Sequence, residues 1–148
     1  MMAPQPEGHI YTKVMCLFTK DGKTLGGKGY DSVDQEEFFR ILGGSIEFGE
    51  THEEAMRREI REELNCEIEN LEFIEAFENI FTYHGKPGHN IVFLYKGELS
   101  NKDLYNQESI TIIEEAYEPF EAQWVSVDDV ISGKVAFYPA YNYSKVLK

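Results

Sequence analysis

The chain has 148 residues and a formal net charge of −13, from 14 lysines and arginines against 27 aspartates and glutamates. That length suits one domain over residues 1–148, with 1–8 flexible, and is awkward for two. The charge repels phosphate polymers at long range and argues against a nucleic-acid groove, but leaves small nucleotides open where a metal screens the local field.

No apolar run approaches the roughly 20 residues that span a bilayer. The opening Met-Met-Ala-Pro-Gln-Pro-Glu-Gly has neither a basic nor an apolar signal segment, which points to the cytoplasm. Cys16 and Cys66 lie in apolar segments without C-x-x-C or Cys/His spacing, so both are expected to be reduced packing residues.

In chain order, residues 10–19 (IYTKVMCLFT) are rich in β-branched and aromatic side chains and read as a strand. The turn formers Lys20-Asp21-Gly22-Lys23 end it and start a hairpin or loop. Glu37 to Leu42 is a short apolar run stopped by Gly43-Gly44. Thr51 and Glu54 then form a capping box, and Met56, Ile60 and Leu64 recur as one apolar stripe. A helix over 52–64 follows, with Asn65 able to close it in a left-handed conformation. Residues 71–83 and 90–99 read as strands joined around His84-Gly85-Lys86-Pro87-Gly88. Residues 100–109 read as a loop, while 110–113 and 122–127 read as short strands. Ser126 and Asp129 suggest a second capped helix, and a terminal helix is expected from Pro139. Strands with one strong helix inserted, and more helix at the end, make an α+β chain with a mixed β-sheet between helices.

The stretch from Gly43 to Glu63, GGSIEFGETHEEAMRREIREE, holds seven glutamates. Glu59, Glu62 and Glu63 project from one side of the predicted helix beside its apolar stripe. Like charges at these spacings weaken a helix by a few tenths of a kcal/mol per pair, which Arg57, Arg58 and Arg61 can only partly offset. Converging carboxylates form a hard-oxygen set suited to Mg²⁺ or Mn²⁺. The Gly-Gly pair allows a backbone carbonyl to approach them. Periodicity by itself still favours a solvated helix face over a metal site.

The full spacing shifts that balance. Gly44 is followed after five residues by Glu50, and after seven more by Arg58-Glu59-Ile60-Arg61-Glu62-Glu63-Leu64-Asn65-Cys66. This resembles the Nudix box, G-x5-E-x7-R-E-U-x-E-E-x-G-U with U aliphatic, in every charged position. Asn65 replaces the usual glycine and Cys66 the usual aliphatic residue. Asn tolerates the left-handed region and Cys packs as a small apolar group, so neither change removes a ligand.

The resemblance implies a Nudix-type α/β/α sandwich. It implies divalent-metal-dependent hydrolysis of a nucleoside diphosphate linked to another moiety, with Mg²⁺ (or Mn²⁺) as cofactor. Glu59, Glu62 and Glu63 match the metal ligands, with Glu50 and the Gly43 carbonyl as further contributors. Among these, Glu62, Glu63 and Glu50 are also candidates for the chemistry itself. Arg58 is expected to orient the box carboxylates, and Arg40 to touch a substrate phosphate. A general base outside the box would come from Glu114, Glu115, Glu118 or Glu121, with Glu118 and Glu115 ranked first. The implied partner is a small-molecule nucleotide, with no nucleic-acid polymer and no membrane, and a homodimer is among the compatible assemblies.

Phe81, Tyr83, Tyr138 and Tyr141 are options for stacking a base, although a strand tyrosine such as Tyr83 is more often core. His84 and His89 flank a turn and read as solvated. Two other classes compete: a Nudix-fold sensor that binds without cleaving, and an acidic interaction protein with no site. Sensors usually lose box glutamates, whereas the charged positions here are intact.

Overall fold

The structure, a computed structural model, describes residues 8–114 and 118–147. Most of the N-terminal segment expected to be flexible, and Glu115, lie outside them. Its strands are β1 (Tyr11–Leu17), β2 (Thr19–Lys20), β3 (Lys23–Asp31), β4 (Glu36–Arg40) and β5 (Leu42–Ser45). Helix α1 (His52–Leu64) follows, then β6 (Ile68–Tyr83), β7 (Lys86–Leu99), β8 (Ser109–Ile112) and β9 (Phe120–Ser126). The chain closes with α2 (Val127–Ser132), β10 (Phe137–Tyr138) and α3 (Ser144–Leu147). This is the expected α+β architecture with mixed strand pairing.

The strands form two sheets. One has the order β5-β1-β7-β6, with β1 and β7 parallel and the outer pairs antiparallel. The other has the order β10-β4-β3-β9-β8, with β2 added beside β3. Strand β1 is central and buried on both faces, which explains its unbroken apolar run. Val14 and Cys16 pack with Met56 and Ile60 of α1, while Met15 and Leu17 pack with Val92, Leu94 and Phe137 on the other side. Both cysteines are buried free thiols.

Helix α1 has the predicted ends. Thr51 Oγ1 accepts from the Glu54 amide at 3.1 Å and Glu54 Oε1 accepts from the Thr51 amide at 3.0 Å. Asn65 closes it at φ 51°, ψ 42°, so the loss of the usual glycine is accommodated. Helix α2 is capped in the predicted way, with Ser126 Oγ accepting from the Asp129 amide at 3.2 Å.

Four expectations need correction. The apolar run before Gly43-Gly44 does not stop there: β4 ends at Arg40, the chain changes sheets at Ile41, and β5 runs through both glycines. Of the hairpin or loop expected at 20–23 the structure has the hairpin, Lys20 pairing with Lys23, and its second arm is a full strand over residues 23–31 that was unassigned. The 84–88 turn is only His84-Gly85, both at positive φ, so β7 starts at Lys86. The terminal helix spans only Ser144–Leu147, because Tyr143 is buried and its hydroxyl bonds the Pro139 carbonyl. The 100–109 segment also carries a short 3₁₀ turn, Lys102–Asn106. Among the described residues no helix is long and apolar enough to cross a membrane.

Candidate active site

The change of sheet at Ile41 brings three things together: the end of β4 with Arg40, the glycines of β5, and the face of α1 that covers β5 and β1. The two glycines have different steric reasons. A Cβ on Gly43 would run into the Val14 carbonyl of the neighbouring strand. One on Gly44 would occupy the space of the Glu59 carboxylate. Gly44 is therefore the cradle in which Glu59 lies. Replacing Gly43 by Ala is expected to cost about 1–3 kcal/mol, since the obstacle is backbone. Gly44→Ala should leave the fold near wild type, because a flexible carboxylate can swing away, but should abolish stabilisation by added divalent cation. Urea unfolding with and without MgCl₂ checks both, and a Gly44→Ala protein that keeps the full Mg²⁺ response would remove the cradle role.

Glu59 and Glu63, one turn apart on α1, are both buried, and Glu114 just after β8 joins them. One carboxylate oxygen from each of the three lies within 4.8 Å of the others. Both oxygens of Glu63 are buried without a hydrogen-bond partner among the described residues. Burial, then the charges of Glu114 and Glu59, push the Glu63 carboxyl well above its ordinary value. Burial also raises Glu59, against the pull of Arg58. Two bare oxygens in a nest of like charge are costly unless a cation fills it. An all-oxygen set suits a hard divalent ion.

Arg58 organises the outer layer. Its guanidinium grips Glu50 with two bonds, Nη2 to Oε1 at 2.7 Å and Nε to Oε2 at 2.9 Å. It also donates to Glu59 at 3.0 Å, Glu62 at 3.2 Å and the Ser45 carbonyl at 2.9 Å. The Arg58 hydrogen bonds hold the Glu50 carboxyl down at about 2. Glu50 thus directs both oxygens at Arg58, and Oε1 additionally accepts from the Glu47 amide. Glu62, whose side chain is 52% exposed, lies on the Arg58 side rather than in the buried trio.

Of the four outside glutamates, the structure places Glu114 in the trio. Glu118 is exposed, Glu115 lies outside the described residues, and Glu121 accepts from Ser109 at 2.6 Å and Thr111 at 2.8 Å. Arg40 faces Glu63 and Glu114, and burial pulls its guanidinium down to about 10 despite the opposing charges of Tyr83, Glu63 and Glu114. Gly43 is buried opposite Met15 in β1.

Lys13 was missed by sequence reasoning. It is 3% exposed, donates to Ser45 Oγ at 2.7 Å, and burial lowers it to about 8 against the pull of Glu59. A lysine inside an apolar strand was the available signal. Arg40 also lines a cavity between the sheets, with Phe38, Phe81, Tyr83, Asn90 and Tyr138 among its walls. Three of the four aromatic candidates are therefore on one cavity. Tyr141 is not among its walls; it stacks on Phe77 and bonds Glu75. His84 sits beside Asp31 and His89 beside Glu78.

A mixed two-sheet fold with a glutamate-bearing helix laid over a Gly-Gly strand defines the class of this protein. The family model for the NUDIX domain matches residues 11–144, and the chain belongs to that family. It is 63% identical over 30 residues to a Nudix hydrolase of Deinococcus radiodurans, a match covering 20% of this chain and 18% of that relative. A solved MutT Nudix hydrolase from Burkholderia pseudomallei has a similar fold, at 19% identity and TM-score 0.55, over 94% of this chain and 95% of that one. A Nudix hydrolase from Nitrosomonas europaea is similar at 16% identity and TM-score 0.56, over 85% of this chain and 78% of that one.

Proposed function

We propose that residues 1–148 form one Nudix hydrolase domain, a pyrophosphohydrolase that uses Mg²⁺ or Mn²⁺ in the cytoplasm. It cleaves the diphosphate of a small nucleoside diphosphate derivative; no nucleic-acid polymer or membrane is involved. The single observation carrying this is Glu63: two buried, unpartnered carboxylate oxygens grouped with Glu59 and Glu114, at the point where Arg40 opens to the cavity.

In this reading Glu59, Glu63 and Glu114 hold the metal, with Glu62 and the Gly43 carbonyl as further ligands. A divalent ion held by these residues would supply charge to screen the diphosphate and polarise its P–O bonds. Arg40 takes a phosphate oxygen. Arg58 fixes Glu50, Glu59 and Glu62 so that the carboxylates do not splay under their own repulsion. The proton of the attacking water passes to a carboxylate of this group, and the P–O bridge breaks towards the leaving phosphate.

The test is a panel of nucleoside diphosphate derivatives assayed for phosphate or mononucleotide release. Hydrolysis of at least one is expected, lost in EDTA and restored by excess MgCl₂ or MnCl₂. Equal turnover by the metal-free protein, or none on any member of the panel, overturns the reading.

A further inference from the structure

The cavity between the sheets is polarised. Arg40 and Glu36 stand at opposite ends of β4, four residues apart, or roughly 13 Å along a strand. At one end its wall is Arg40, whose guanidinium faces Glu63 and Glu114. At the Glu36 end its walls carry Asp31, Asp34 and Glu36. Asp31 is held in place: burial pushes its carboxyl up, but the amides of Asp34, Val33 and His84 outweigh that and hold it low. Glu36 accepts from the Tyr138 hydroxyl at 2.8 Å. With a divalent ion offsetting the three carboxylates, a phosphate would be drawn to the first end, and it is repelled by the second. What occupies the second end is thus the uncharged part of the substrate.

Rings set its shape. Phe38 lies edge-on to Tyr83 at 5.9 Å and to Tyr138 at 5.7 Å, and Phe81 adds a further face. Such walls take a flat aromatic group. Set into them is Asn90, at the start of the β1–β7 pairing, 1% exposed, with Oδ1 lacking a hydrogen-bond partner among the described residues. A buried carbonyl oxygen without a donor is costly, and Asn90 is a cavity-lining residue, so a ligand seated there that brings a donor would satisfy it.

We propose that Asn90 determines specificity: its side-chain oxygen accepts from an exocyclic amino group of a nucleobase seated among Phe38, Phe81, Tyr83 and Tyr138. This rests on the pyrophosphohydrolase reading for where the phosphates lie. It goes further by naming the substrate class, nucleotides of amino-bearing bases. A site built to meet a donor discriminates against the analogue lacking it, because the buried oxygen is then left unpaired.

Of three test pairs, GTP and ITP differ only at such a group, whereas CTP and UTP, and ATP and ITP, exchange it for a carbonyl and a neighbouring ring N–H. In at least one pair the amino-bearing member should have the higher kcat/KM by about tenfold or more. In Asn90→Leu that ratio should fall to within about twofold of unity. The same pairs as α,β-methylene analogues, read by thermal shift, report base preference without cleavage. A preference in binding with no hydrolysis of any nucleotide refutes the catalytic reading and leaves Asn90 as the base reader. Hydrolysis of all pairs within twofold by the wild type refutes the role of Asn90, whether or not the variant folds. A folded Asn90→Leu that keeps the wild-type ratio refutes it as well.

Discussion

Glu63→Gln is expected to lower kcat by at least about 10²-fold and, in the same protein freed of metal, to raise the melting temperature near neutral pH. The two effects have one cause. Glu63 is 6% exposed and carries two oxygens that no donor among the described residues reaches. On the proposed reading its charge serves a cation, so the amide weakens that ligand. Without the cation the same charge is a strain borne only by the folded state, and the amide relieves it.

The pH dependence separates this from ordinary repacking. Burial raises the folded-state value of Glu63 well above its unfolded value, with Glu114 and Glu59 adding to the shift. Below the unfolded value, near 4.3, the group is protonated in both states and no strain exists. As pH rises through that point the unfolded chain ionises first, and stability is lost up to the folded value. The advantage of Glu63→Gln should therefore be present at pH 7 in EDTA and vanish below about pH 4. Turnover equal to wild type would remove Glu63 from the metal site. A lower melting temperature at pH 7 in EDTA would show that its carboxylate is a structural partner instead.

Much of this site was legible because it sits on one helix. Local rules wrote both caps of α1, and the apolar stripe fixed which side of the helix meets β1 and β5. Helical periodicity alone put Glu62 with Glu59 and Glu63, but burial splits them: the helix faces solvent by Glu62, where Arg58 collects it. Glu114 was one of four candidate glutamates and ranked below Glu118 and Glu115; only the path of β8 distinguishes it, which no local pattern records. Strand β3 was hidden by its glycines. Gly26 lies against the Phe137 ring and Gly29 under the Phe38 ring, so the residues that depress strand propensity are those that let rings cross the backbone. Asn90 and Lys13 showed only as polar residues in apolar strands; what they face depends on pairings across the two sheets.

Millimolar MgCl₂ should raise the melting temperature of the wild-type protein beyond what NaCl does at matched ionic strength. Nonspecific screening of a −13 chain acts for any salt and is set by ionic strength. Site binding adds RT ln(1 + [L]/Kd), because the unfolded chain does not gather Glu59, Glu63 and Glu114. At ten times Kd this is about 1.4 kcal/mol, or about 3–6 °C for a domain of this size. Arg58 sharpens the expectation, since it satisfies Glu50, Glu59 and Glu62 without reaching the Glu63 oxygens. One guanidinium thus offsets part of the charge of those three carboxylates and, on the proposed reading, leaves the Glu63 oxygens for the cation. Glu59→Gln should shrink the difference between the two salts, and Glu63→Gln should remove most of it. Glu67→Gln, an exposed residue paired with Arg61 at 2.7 Å, should leave it unchanged. Equal shifts from the two salts in wild type would mean that the glutamates of α1 form a charged face and nothing more.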